Sequence, residues 1–310
     1  MSLAPRLAAA LALCATAAAG CGLGSGEDEG EVDLTVTRDY GREILLREQD
    51  SIGESDTVLR VLDRNAEVDT RYGGGFVQSV DGLSGGSSDG RRTDWFFYVN
   101  GIESPIGAAE YDLSDGDRVW WDYRDWTAAM RVPAVVGSWP EPFVHGFQGK
   151  VWPTTVVCES APATCAAVSD SLGSAGAKLP AGDTVQAGGP SVPPGISDVV
   201  VGAWPRVRTH DVARLLAEAP DHSGVFARFV GTKRPLLELE NVRGEPAGSI
   251  GKGGGIVAAL RPDDGPPTWL VTGTDAKGVA AAANLLGDSL RNHYAVATQP
   301  GAGAIGVPVP

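Results

Sequence analysis

The stretch from Gly74 to Tyr123 constrains the fold of this chain more than any other. It contains three of the eight tryptophans and three of the six tyrosines, which stand on short alternating segments separated by Gly, Asn and Asp. Aromatic residues at alternate positions between turn residues are typical of β-strands. The stretch therefore predicts aromatic-rich strands joined by tight turns.

Two of these strands carry large aromatics on both faces. Side chains alternate along a strand, so the runs WFFYV at 95–99 and VWWDY at 119–123 each place bulky rings on opposite sides. One face must cover a core. On this argument Tyr98 and Trp120 lie off the core face and can meet another partner.

The residues before this stretch predict a hairpin and a helix. Apolar residues alternate over 32–36, and a second extended run follows at 44–46. The segment SDTVLRVLDRNAEV begins with Ser55 and Asp56, either of which can cap a helix whose apolar residues recur on one side. A hairpin, a helix and further antiparallel strands predict a β-grasp-like α+β domain over residues 31–130.

Four short motifs in this domain occur in the order of a known family: TVLRVL, GGFVQSVDGL, WFFYVNG and GAAEYDLSDGDRVWWDY. Over about residues 32–126 the chain resembles the transcobalamin-like C-terminal domain family, also called domain of unknown function 4430. The resemblance implies a small β domain that, in animal cobalamin carriers, closes over one side of a corrinoid. It also implies a bacterial surface lipoprotein, the form in which bacterial relatives often occur.

The motif positions and the surplus of aromatics identify a candidate ligand-binding set. Its members are Phe76, Trp95, Tyr98, Asn100, Trp120, Trp121 and Tyr123. Together they could form a wall for a flat or apolar ligand, and the resemblance implies cobalamin as that ligand. For each aromatic the alternative is an ordinary core position, because alternation buries one face. We expect no cofactor and no metal site.

The N-terminus predicts export to the cell surface. Residues 1–20 have the basic start, short apolar core and small-residue end of a signal peptide. Small residues directly before Cys21 resemble a lipobox, so we expect Cys21 to be lipidated and residues 21–30 to form an acidic tether. The alternative is ordinary secretion with Cys21 removed or unused. The lipoprotein would lie on the extracytoplasmic face of the cell membrane.

Two further cysteines, Cys158 and Cys165, stand close together in the exported part of the chain. In an oxidising compartment such a pair most simply forms a local disulfide. A metal site is the alternative, but no histidine or second cysteine pair stands at ligand spacing nearby. We therefore predict the disulfide.

The remainder divides into a linker at 131–149, a mixed α/β domain of unknown type at 150–297 and a disordered tail at 298–310. The linker is rich in Pro and Gly. Continuous apolar strands alternating with helices favour a mixed or parallel sheet covered on both faces. The last helix is expected from Asp275, its cap, to about Arg291. The tail consists mainly of Gly, Pro and Ala.

The sequence favours a non-catalytic protein that does not bind nucleic acid. The net charge of −14 opposes phosphate binding along a nucleic acid. The G-x-S-x-G string at 86–90 lies in a predicted hairpin loop, where no strand and helix can form a nucleophile elbow. The four histidines are scattered through the chain.

Two functions follow from these observations. In the first, a membrane-anchored lipoprotein captures a small molecule, conceivably cobalamin, for uptake through a membrane vitamin transporter. In the second, the β-grasp-like domain is an adhesion or assembly module that binds protein or cell-wall polymer through its sheet edge or its aromatic patch.

Overall fold

A computed structural model describes residues 30–72, 75–180 and 195–310, together with the backbone of 184–186. The predicted signal peptide, Cys21 and most of the tether lie outside the described residues. No helix in the described part of the chain is long and apolar enough to cross a membrane.

Within its described residues, the N-terminal domain has nine strands and one helix. In chain order they are β1 (Gly30–Arg38), β2 (Glu43–Ile52), α1 (Val58–Asn65), β3 (Val68–Arg71), β4 (Phe76–Val80), β5 (Leu83–Ser84), β6 (Gly86–Ser88), β7 (Arg91–Val99), β8 (Ile102–Glu103) and β9 (Arg118–Asp125). The main sheet has the order β2-β1-β9-β7-β6, with β8 beside β7. A separate small sheet has the order β3-β4-β5.

This sheet confirms the predicted β-grasp-like arrangement. The last strand, β9, enters the middle of the sheet, antiparallel to β7 and parallel to β1. Helix α1 packs Val58, Val61 and Leu62 against one face. Its cap is Thr57, whose hydroxyl accepts from the Arg60 amide, rather than Ser55 or Asp56 as expected.

The C-terminal domain is built on a second, larger sheet. Its elements are β10 (Thr154–Cys158), α2 (Pro162–Ser174), β11 (Thr184–Gln186), β12 (Ser197–Ala203), α3 (Trp204–Val207), α4 (Pro220–Ser223), β13 (Ala227–Val230), β14 (Leu236–Glu240), β15 (Pro246–Ile250), β16 (Gly255–Leu260), β17 (Thr268–Gly273), α5 (Ala276–Ala283), β18 (Ala295–Thr298) and β19 (Ile305–Val307). Two short 3-10 turns lie at Ala213–Ala217 and Asp288–Leu290.

The larger sheet is mixed, as predicted. Its order is β11-β10-β12-β17-β16-β18-β19. Neighbours from β11 to β17 are parallel, and the other three strands add in antiparallel fashion. Helices α2 and α5 cover one face. A disulfide joins Cys158, the last residue of β10, to Cys165 in α2, which confirms the predicted pairing.

Two expectations for the C-terminal domain are wrong. Residues 298–310 are not a disordered tail, because β19 pairs with β18 and Val309 forms a bridge with Asn241. The last helix ends at Ala283 instead of about Arg291. Beyond it, Gly287 has a φ of 130°, which no helix can include, and the chain then turns through Asp288–Leu290.

The two domains share one hydrophobic core. Tyr40, Tyr98 and Trp120 from the N-terminal domain join a buried cluster with residues of the C-terminal sheet, the β13–β15 sheet and Tyr294. The ring of Tyr40 lies 5.0 Å from the rings of both Phe226 and Tyr294. The face of the main sheet opposite α1 is therefore covered by the second domain.

A buried hydrogen-bond network fixes this junction. The Tyr294 hydroxyl donates to Asp122 Oδ2 at 2.9 Å and accepts from the Tyr98 hydroxyl at 3.3 Å. The other oxygen, Asp122 Oδ1, accepts from Thr37 Oγ1 at 2.6 Å and from the Gly41 amide at 3.1 Å. Burial raises the pKa of Asp122 to about 6, although these donors favour the carboxylate.

Replacing Tyr294 by Phe should weaken the folded protein. The ring still packs, but Asp122 loses a donor and the buried Tyr98 hydroxyl loses its acceptor, at a cost of about 1–3 kcal/mol. Tyr72→Phe is the matched control, because Tyr72 is 88% exposed. Urea unfolding of both variants measures the difference. Equal unfolding midpoints for the two variants would contradict the network.

Candidate ligand cleft

An open cleft of about 460 Å³ lies between the small β3–β5 sheet and the outer side of β7. We call it the aromatic cleft. Six of its lining residues carry the chemistry: Tyr72, Phe76, Gln78, Arg92, Asp94 and Trp126. Its volume falls within the range of about 300–1,000 Å³ that is usual for small-molecule sites.

The strand pairing explains why the cleft is open. On its outer side, β7 pairs with β6 only over 91–93 and with β8 only over 98–99. In the part of the chain that the structure describes, the middle of β7, residues 94–97, therefore has no neighbouring strand on that side. Trp95 Nε1 donates to the Leu83 carbonyl and the Tyr123 hydroxyl donates to the Ser84 carbonyl, both at 2.8 Å. These bonds hold the small sheet beside β7 without closing the space.

The walls combine exposed rings with charge. Tyr72 is highly exposed and Phe76 is half-buried. The Arg92 guanidinium lies 4.0 Å from the centre of the Trp126 ring, which keeps a planar cation against an aromatic face. Burial raises the pKa of Asp94, whose carboxylate accepts from the Trp95 amide. The cleft therefore offers stacking surfaces, two cations, Arg71 and Arg92, and one carboxyl group.

A second cavity of about 240 Å³ adjoins the first. Phe76 lines both cavities, so its ring stands between them. Trp95, Phe97 and Trp121 also line the second cavity, and Ile106 lies at its exposed side. Trp95 and Trp121 are buried, so Phe76 is the half-buried ring that both cavities share.

The structure divides the seven predicted ligand-binding residues into separate groups. Phe76, Trp95 and Trp121 line the two cavities. Tyr123 lies behind them, with its ring 5.3 Å from that of Trp95 and its hydroxyl held by Thr93 and Ser84.

The other three residues lie away from the cavities. Tyr98 and Trp120 were expected to be the most available aromatics, but both are buried on the opposite face, where the second domain covers them. Asn100 lies in the turn after β7, where its amide bonds Asp117, Gly146 and the Arg118 amide. These hydrogen bonds give Asn100 a structural role in the turn.

Sequence reasoning missed Tyr72, Arg92 and Asp94. Tyr72 precedes the run of glycines at 73–75, and Arg92 stands in a Gly/Ser-rich loop segment, where neither strand alternation nor a family motif singled it out. Two sequence features could have identified these residues: Tyr72 is an isolated aromatic beside glycines, and Arg92 stands between a loop and an aromatic strand. In the described ranges, no group of three or more His, Cys, Asp or Glu residues could hold a metal ion.

The fold and the cleft define a β-grasp-like domain with an open aromatic site. Residues 55–125 match the family model described as "Domain of unknown function (DUF4430)". The match confirms, over this segment, the resemblance that the four motifs indicate.

Solved structures that are similar to part of the chain include the following two. A proposed metal-binding protein from Ruminococcus gnavus is 18% identical, with 31% of this chain and 98% of that chain covered and a TM-score of 0.25. Haptocorrin in complex with Cbi is 15% identical, with 31% of this chain and 26% of that chain covered and a TM-score of 0.26. At these TM-scores neither structure bears on the function. No curated protein sequence matched the chain.

Two adjacent glycines test the geometry of the cleft. A Cβ at Gly85 would lie 2.5 Å from Asp94 Oδ1, whereas a Cβ at Gly86 meets nothing within 4 Å. We expect Gly85→Ala to displace Asp94 and to cost about 1–3 kcal/mol. Gly86→Ala should be neutral or slightly stabilising. Thermal unfolding of both variants measures this, and equal effects would show that Gly85 does not pack closely against Asp94.

Proposed function

We propose that this protein is a non-catalytic, lipid-anchored surface protein that binds a small molecule in the aromatic cleft. The observation that carries the proposal is the open cleft itself, with its rings and the stacked Arg92–Trp126 pair. Such a surface suits a ligand with a flat or apolar face and at least one polar group, because rings supply area and the charged groups supply orientation.

A corrinoid is the ligand class that we propose. The motif resemblance supports it, and the macrocycle of a corrinoid is a broad ring with polar substituents. The cleft would engage one side of such a molecule, since its volume is modest and its mouth is open. Lipidation at Cys21 would hold the protein on the extracytoplasmic face, from which it could deliver ligand to a membrane vitamin transporter.

A second candidate function, assembly or adhesion, is favoured by a different surface. Among the described residues, strand β2 pairs only with β1, so its other edge has no strand partner. Ile44 and Leu45 on β2 are 47% and 42% exposed. A free edge with exposed apolar side chains can add a strand from a partner protein. The two functions use opposite margins of the main sheet and can be separated by mutation.

Titration distinguishes these functions. We expect absorbance and tryptophan fluorescence to show saturable binding of cobalamin, cobinamide or haem at micromolar concentration. Phe76→Ala should weaken that binding about tenfold, because a buried aromatic contact contributes roughly 1.5–3 kcal/mol.

The control is Ile44→Ser, which changes the β2 edge and leaves the cleft intact. It should not alter ligand binding. No saturable response to any of the three ligands, or equal affinities for wild type and Phe76→Ala, would contradict the proposed site. If Ile44→Ser instead abolishes self-association or capture of a surface protein, the assembly function gains support.

A further inference from the structure

A small recess of about 100 Å³ lies where the two domains meet, on the side of the main sheet away from the aromatic cleft. We call it the seam recess. The residues that matter for its chemistry are Asp33, Arg47, Arg118, Ser138, Arg291 and Asn292. They come from β1, β2, β9, the linker and the segment before β18, so both domains contribute to the recess.

Strand register explains how two of the arginines converge. Thr35 on β1 is opposite Arg47 on β2, and Asp33 is opposite Arg118 on β9. Asp33 and Thr35 are two residues apart, so they share a face of the sheet, and their partners share it too. This is the face that carries Trp120 and meets the second domain. The strand register therefore places Arg47 and Arg118 on the face of the sheet that borders the domain seam.

The opposite wall is held by close backbone packing. A Cβ at Gly137 would lie 2.6 Å from Cζ3 of Trp120, and a Cβ at Gly41 would lie 1.9 Å from the carbonyl oxygen of Asn292. These approaches leave no room for the 137–138 and 291–292 segments to move toward the sheet. The backbone at Arg291 and Ser138 is thus held beside the two strand arginines, while the Arg291 side chain itself is exposed.

The charge balance of the seam recess is positive. Three guanidinium groups line it together with one carboxylate, in a chain whose net charge is −14. Arg118 lies 3.5 Å from that carboxylate, on Asp33, and also donates to the Trp139 carbonyl. Arg291 pairs at 3.0 Å with Asp288, which is almost fully exposed. Among the described residues, Arg47 has no ion pair.

The geometry points to a binding site for a single oxyanion group, a phosphoryl or a carboxylate, in the seam recess. Arg47 and Arg291 supply the main contacts with the anion, and Arg118, which also lines the recess, adds positive charge. Planar guanidinium groups match the oxygens of phosphate and carboxylate with paired hydrogen bonds. The anion would contact both domains, so its binding would also strengthen their docking. This site is independent of the proposed function of the aromatic cleft.

Calorimetry with inorganic phosphate tests the proposal. We expect saturable binding at millimolar phosphate, and a higher melting temperature in phosphate than in chloride of the same ionic strength. Arg47→Gln and Arg291→Gln should each weaken phosphate binding about tenfold, since each removes a charge-assisted contact. Arg214→Gln is the matched control, because Arg214 forms the same exposed i,i+3 ion pair, with Asp211, and does not line the seam recess.

Two further arms identify the source of the oxyanion. Acetate replaces phosphate to test a carboxylate, and vesicles containing phosphatidylglycerol test a lipid phosphate. The site is supported if one of the ligands binds, if Arg47→Gln weakens that binding, and if Arg214→Gln leaves it unchanged. No saturable binding in any arm, or an equal loss with Arg214→Gln and Arg291→Gln, would overturn it.

Discussion

The hydrogen bond from Tyr294 to the buried carboxylate of Asp122 is the interaction on which the arrangement of the two domains depends. A carboxylate in an apolar junction is costly unless donors surround it, and here Thr37, Gly41 and Tyr294 supply them. Two of these donors belong to the N-terminal domain and one to the C-terminal domain. The carboxylate is therefore fully satisfied only when the domains are docked.

This junction decides which aromatic residues are free for function. The N-terminal sheet carries bulky rings on both faces, one packed on α1 and the other packed on the second domain. The open surface is the aromatic cleft at the side of the sheet. There, among the described residues, no strand pairs with the middle of β7, and the small β3–β5 sheet is separated from it. The aromatic cleft and the seam recess occupy different sides of the sheet, and only the recess includes residues from both domains.

Much of the fold could be predicted from the sequence, because the patterns that specify it are local. Alternation at 95–99 and 119–123 predicted the two-sided strands, and the spacing of Cys158 and Cys165 predicted their disulfide. What covers Tyr98 was not predictable, since Tyr294 is almost two hundred residues away. The pairing of β19 was missed because a Gly- and Pro-rich composition indicates disorder unless a tertiary partner is known. In the aromatic cleft, Phe76 was among the predicted residues, whereas Tyr72 and Arg92 were missed because their positions depend on how two sheets are placed.

Native-state hydrogen exchange of the intact chain tests most directly whether the two domains fold as one cooperative unit. Strands β9 and β18 belong to different sheets but flank the same shared core. The account predicts that their slowest amides exchange by a common opening, with the same free energy and the same dependence on denaturant. Separate openings of clearly different free energy, with β9 protected while β18 exchanges, would contradict the shared core.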